Sequence, residues 1–198
     1  DPHWFSTMFG VYAFAGGFYS VLALQTLIVV NLWRKGALKD IVNENHFHDL
    51  GKFMFAFTVF WGYIGFCQFM LIWYANLPEE TIFFKLRRTG SWEAVSGVLL
   101  FGHFILTFLV LLARNSKRNL NVLRFATVWI LCMHYVDIYW LVMPNFHKEG
   151  PSFHWLDLAT LGATVSIAGL AFWTRFGKNK IVPVGDLRLE QSLHFENV

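Results

Sequence analysis

The stretch LNVLRFATVWILCMHYVDIYWLVM, running from Leu120 to Met143, decides the fold. A helix of this length, rising about 1.5 Å per residue, crosses a hydrocarbon layer of about 30 Å. The run is apolar on every face, which excludes a barrel strand, since such strands need only about 10 residues of strict alternation. Within it stand His134 and, three residues later, Asp137. A titratable pair this deep in a membrane segment is costly and points to function.

Four more windows of similar character flank it, at about 7–33, 50–74, 91–113 and 154–173. With 120–143 they predict an all-α, polytopic bundle of five transmembrane helices. Residues 1–198 then form a single transmembrane domain with a tail at 174–198. Composition agrees: 56% of residues are hydrophobic, 15% are charged, and the mean hydropathy is +0.44. Such a chain belongs among integral membrane proteins.

Basic residues set an expected orientation. Arg34, Lys35, Lys39, Lys52, Arg114, Lys117, Arg118, Arg124, Arg175, Lys178, Lys180 and Arg188 lie in or beside the first-to-second and third-to-fourth connections and the tail. The opposite side holds only Lys85, Arg87, Arg88 and Lys148. Positive charge is retained in the cytoplasm, so the tail and those two connections are expected there. The net charge of +3 then reflects topology, and no basic run long enough to bind nucleic acid is present. The chain begins at Asp1 with no basic leader, and its first span enters from outside. Both features fit the second half of a longer subunit.

Ionisable residues can be ordered by depth along this topology. His103 and His134 fall near the midplane, Asp137 lies about 5 Å nearer the outside on the face of His134, and Glu93 and Asp157 stand at the outer ends of their helices. If the faces converge, Glu93, Asp157, Asp137, His134 and His103 form an outer proton half-channel. Simpler accounts compete with it. Glu93 and Asp157 follow Ser91 and Ser152 at helix starts, where carboxylates complement the dipole or cap. His103 alone can be a neutral core histidine. On the inner side His46, His48 and Asp49 precede the second span, with Lys52 one turn on, and Gln25 and Asn31 lie in the inner half of the first. They either gather protons or supply a solvated cap, with His48 and Asp49 where an N-cap is wanted.

Other signals are structural. Trp4, Trp33, Trp73, Trp92, Trp140 and Trp155 lie near helix ends and read as interfacial belts. The connection from Asn76 to Thr89 reads as an amphipathic segment at the headgroups or a partner-docking element. Cys67 and Cys132 are intrahelical and read as small buried hydrophobes. Gly16, Gly17, Gly62 and Gly65 permit close helix packing. The sequence has no CxxCH haem attachment, CxxC cluster, Walker loop, GxGxxG or HExxH motif. Its short connections leave no room for a soluble catalytic domain, so chemistry belongs in the membrane or on partners.

Three stretches then carry a resemblance: Asp1-Pro-His-Trp-Phe-Ser-Thr-Met-Phe-Gly-Val-Tyr12, the segment from Phe47 to Tyr63, and Met133-His-Tyr-Val-Asp137-Ile-Tyr-Trp140. Together they closely resemble the NrfD/PsrC-like integral membrane family, in particular the ActF membrane subunits of bacterial alternative complex III. The likeness covers essentially the whole chain, as the later half of a subunit of about ten transmembrane helices. It implies a bacterial inner-membrane subunit of a respiratory quinol:electron-acceptor (cytochrome c) oxidoreductase, without its own redox cofactor. A paralogous NrfD-like partner would bind menaquinol, and periplasmic iron–sulfur and multihaem cytochrome c subunits would carry the electrons onward. In such a complex this chain would provide a proton route coupled to quinol oxidation. Glu93, His103, His134, Asp137 and Asp157 would line its outer part, and His48, Asp49 and Lys52 would stand near its inner mouth. Two alternatives stay open: a scaffold that docks the peripheral subunits, and a haem b subunit with His103 and His134 as axial ligands.

Overall fold

The computed structural model describes residues 4–178, 181–183 and 185–194, and these are helical throughout their ordered elements, with no strand among them. Lipid supplies no hydrogen-bond partners, so each apolar run satisfies its backbone internally by coiling. The first span is α1 (Thr7–Arg34) and the second is α2 (Glu44–Ala75). A short helix, α3 (Pro78–Leu86), links to the third span. That span is continuous over Trp92–Leu112 but is built in three parts: α4 (Trp92–Val98), a π-helix (Leu99–Leu106) and α5 (Thr107–Leu112). After α6 (Arg114–Arg118) comes the fourth span, α7 (Leu120–Val142), which a short 3₁₀ turn extends to Asn145. The fifth span is α8 (Trp155–Phe176), and α9 (Leu189–Leu193) lies in the tail. Four of the five spans match the expected windows to within three residues at each end.

The second span departs from expectation at its start. It begins at Glu44, a turn and a half before residue 50, because Asn43 caps it. The Asn43 side chain accepts from the Asn45 and His46 amides at 2.9 and 3.2 Å, and the Asn43 amide donates to His46 Nδ1 at 3.2 Å. This reciprocal box makes Asn43 the cap in place of His48 and Asp49. Both lie inside the helix, where Asp49 pairs with Lys52 at 2.6 Å.

The chain forms two units, one running to Pro151 and the other beginning at Ser152. The first holds the four-span bundle. At its α6 end Tyr19, Leu22, Ala23, Val30, Phe47, Met54, Leu111, Leu123, Ala126 and Ile130 pack together. Nearer the α3 end Tyr12, Ala15, Trp61 and Ile64 form a second cluster. Outward-facing Phe14, Val21, Phe53, Phe101 and Leu109 stay exposed, as lipid-facing residues do. The second unit contains α8, of which no residue is buried.

Glycine sets the spacing of the second and third spans. A Cβ built on Gly62 would come within 2.5 Å of the Phe104 ring. Gly62→Ala is therefore expected to force this pair apart and destabilise the bundle by about 1–3 kcal/mol. Thermal unfolding in detergent followed by circular dichroism checks it; an unchanged midpoint would show that Phe104 turns aside freely.

Two buried cations tie off helix ends. Lys117 Nζ donates to the Leu111 and Leu112 carbonyls at 3.0 and 3.1 Å, which closes the last turn of the third span. Burial, with nearby Lys52 adding to it, lowers its pKa below the usual lysine value. At the other end Arg87, 1% exposed, donates to the Phe83, Trp140 and Leu141 carbonyls at 2.8, 3.2 and 2.7 Å. Its guanidinium lies 3.4 Å from the Phe83 ring centroid and 4.9 Å from that of Trp140. Burial pushes its pKa down to about 10.

The tryptophan belt is only partly realised. Trp73 and Trp155 are exposed at helix ends, as expected. Trp92 is instead fully buried and donates to the His147 carbonyl at 2.7 Å. Trp140 donates to Ser96 Oγ at 2.8 Å beneath Arg87. A bulky indole with one N–H serves equally well to lock a helix junction, and a position near a helix end does not distinguish the two uses.

Candidate functional site

Asp137 is where the first, second and fourth spans meet. It is 1% exposed. The Tyr12 hydroxyl donates to Oδ1 at 2.5 Å, and the Trp61 indole N–H donates to Oδ2 at 3.2 Å. His134 Nδ1 lies 4.0 Å from Oδ2, one turn back on the same helix. The spacing of three residues puts His134 and Asp137 on one face of α7, and α1 can approach that face because Gly16 has no side chain. A Cβ there would stand 3.1 Å from His134 Cε1 and 3.5 Å from Asp137 Oδ2.

The polar line continues from Trp61. Its ring meets that of His103 nearly edge-on, at 4.4 Å between centroids and 86° between planes. His103 is 0% exposed, and neither ring nitrogen has a hydrogen-bond partner. It lies in the π-helix, an unusual widening that recurs at functional positions. That segment is anchored to the fourth span through the Gly102 carbonyl, which accepts from Trp129 Nε1 at 2.9 Å. On the far side of His103 is Tyr19, with ring centroids 5.5 Å apart, and the Tyr19 and Thr58 hydroxyls are hydrogen-bonded at 2.7 Å. Tyr12 and Tyr19 are seven residues apart, so they sit two turns and about 10 Å from one another along one face of α1.

Toward the α3 end a cavity of about 200 Å³ is lined by Ser6, Thr7, Met8, Gln68 and Glu80 among others. Met8 is one turn from Tyr12, and the Tyr12 ring packs on Gly65, three residues from Gln68. Gln68 is buried and its amide nitrogen has no partner. The cavity is large enough for several waters.

Of the outer group expected from sequence, the structure brings together Asp137, His134 and His103. Glu93 is exposed in the first turn of α4 and does not touch Asp137. Asp157 belongs to the second unit, where its carboxylate accepts from the His154 amide at 2.9 Å as half of a capping box. At the α6 end His48 is buried beside Lys52, Arg114, Lys117 and Arg118, and its Nδ1 has no partner. Gln25 is exposed.

Sequence reasoning missed Tyr12, Trp61, Tyr19 and Thr58. One signal was available: a buried carboxylate needs donors, and the aromatic-rich first and second spans offer uncharged ones in Tyr and Trp.

Comparison with protein-family models finds no match to this chain, and comparison with curated proteins finds none either.

Proposed function

We propose that this membrane-spanning chain carries protons through the bilayer for a bacterial quinol:electron-acceptor oxidoreductase, with Asp137 as the group that takes up and gives back the proton. The observation that carries the reading is a carboxylate buried in the bundle with two neutral donors and, among the described residues, no Lys or Arg paired to it. A buried carboxylate paired with Arg or Lys must break an ion pair to take up a proton, whereas one held by a phenol and an indole exchanges protons without doing so. His134 Nδ1, 4.0 Å away, is the neighbouring acceptor, and His103, with two unpartnered ring nitrogens, is the next toward the α6 end. Gln68 and the cavity it lines lie toward the α3 end, the side from which water would approach Asp137.

The resemblance noted in the sequence supplies the electron-transfer context. Under it, the α6 end and the tail face the cytoplasm, menaquinol reacts in a paralogous partner, and iron–sulfur and haem c groups reside in peripheral subunits. The haem b alternative suits the packing less well, since the Trp61 and Tyr19 rings crowd His103 where a macrocycle would lie. A pure scaffold would not require so costly a buried carboxylate.

Tyr12→Phe tests the reading. Removing the 2.5 Å bond is expected to shift the Asp137 carboxyl band in infrared difference spectra and to slow proton movement per quinol oxidised by about tenfold. An unaltered band together with unaltered proton movement would overturn it.

A further inference from the structure

The strongest unexplained feature outside the Asp137 site is a cavity of about 480 Å³ between the end of α2 and α3. One wall is apolar: Phe69, Ile72, Trp73 and Phe84. The Phe69 and Phe84 rings meet edge-to-face at 5.2 Å, so α2 and α3 both contribute to that wall. The other wall carries Lys85 and Arg88. Both are exposed, and among the described residues neither is ion-paired to a carboxylate.

The contrast with Arg87 is instructive. Arg87 turns inward and is consumed by three carbonyls, so its charge has a structural use. Lys85 lies in the last turn of α3, where it complements the helix dipole, but that role needs neither a cavity nor a second cation. Arg88 lies beyond the helix end, and among the described residues its guanidinium has no ion-pair partner. Position adds to this. Asn76, which ends the second span in a left-handed cap, also lines the cavity, so the opening lies at the depth where acyl chains give way to headgroups.

We infer that this cavity binds an anionic phospholipid, its phosphate held by Lys85 and Arg88 and the start of its acyl chains laid on Phe69, Ile72, Trp73 and Phe84. Two cations on one rim and aromatic rings on the other match an amphiphile with a negative head. A free phosphate would have no use for the apolar wall, and a zwitterionic lipid would gain little from the unpaired charges. The inference is independent of the role of Asp137.

Native mass spectrometry of the detergent-solubilised protein, titrated separately with phosphatidylglycerol, phosphatidylcholine and inorganic phosphate, tests it. Phosphatidylglycerol is expected to be retained in preference to phosphatidylcholine. The Lys85→Glu/Arg88→Glu pair should weaken its binding by about tenfold or more, because each cation contributes several-fold. A control pair at the opposite end of the bundle, Lys35→Glu/Arg114→Glu, should leave binding unchanged. Phe84→Ala should weaken the lipid without creating phosphate binding. If charge reversal disturbs the helical spectrum, Lys85→Gln/Arg88→Gln gives the same reading with a smaller loss. Equal retention of the two lipids, or of phosphatidylglycerol by wild type and the variant pairs at Lys85 and Arg88, overturns the inference. Displacement of phosphatidylglycerol by millimolar phosphate also overturns it, by making this a site for the free anion.

Discussion

Asp137→Asn is expected to reduce proton movement coupled to quinol oxidation by about tenfold or more, the scale on which a positioned acid–base group acts. Asparagine keeps the volume, so the packing of Tyr12, Trp61 and Gly16 around the position survives. It cannot take up a proton, and its amide N–H₂ faces one of two neighbours that are themselves donors. Some loss of stability, about 1–3 kcal/mol, should accompany the change. The measurement is proton uptake in vesicles containing the assembled complex, recorded with quinol turnover. Retained electron transfer with lost proton coupling is the expected pattern. If the variant moves as many protons per quinol as the wild type, Asp137 is a structural carboxylate and the scaffold reading gains.

Arg87→Met should be the most damaging single change to the fold. The guanidinium joins α3, through the Phe83 carbonyl, to the end of α7, through those of Trp140 and Leu141, while its flat face rests on Phe83. Three carbonyls left without their donor, at about 1 kcal/mol or more each, together with the lost ring contacts, come to about 3–5 kcal/mol. For a chain of this size that lowers the unfolding midpoint by about 10 °C. Arg87→Lys should recover little, since one ammonium cannot span carbonyls that the planar fork reaches in three directions. Unfolding within two or three degrees of wild type, followed by circular dichroism in detergent, would show that water replaces the arginine at no cost.

How much of this was legible beforehand varies by level. The five spans follow from run length alone, because a segment such as Ser91 to Ala113 has no other way to satisfy its backbone in lipid. The start of the second span is hidden from hydropathy, because Glu44 to Asp49 is polar; the Asn43 and His46 pairing that caps it is local enough to be read from sequence. The π-helix of Leu99–Leu106 left no trace in the composition, since it differs from an α-helix only in which carbonyl each amide reaches.

The candidate site divides in the same way. His134 and Asp137 could be paired from their spacing on one helix, and His103 could be placed at their depth by counting residues from the helix end. Glu93 and Asp157 stand at helix ends, where the outer mouth of such a route is expected, but position along a helix says nothing of direction: one faces outward on α4, and the other caps its own helix.

The sequence by itself determined a bundle of apolar helices with an anomalous carboxylate in the fourth span, because helix length and the cost of buried charge are local properties. Only the tertiary structure decided what that carboxylate touches. Tyr12 and Trp61 lie 125 and 76 residues away along the chain, and in sequence they are merely aromatic residues in aromatic-rich helices. Which face of α1 turns toward α7, and which face of α2 turns toward the third span, is settled by close packing at Gly16 and Gly62, and that is a property of the assembled bundle.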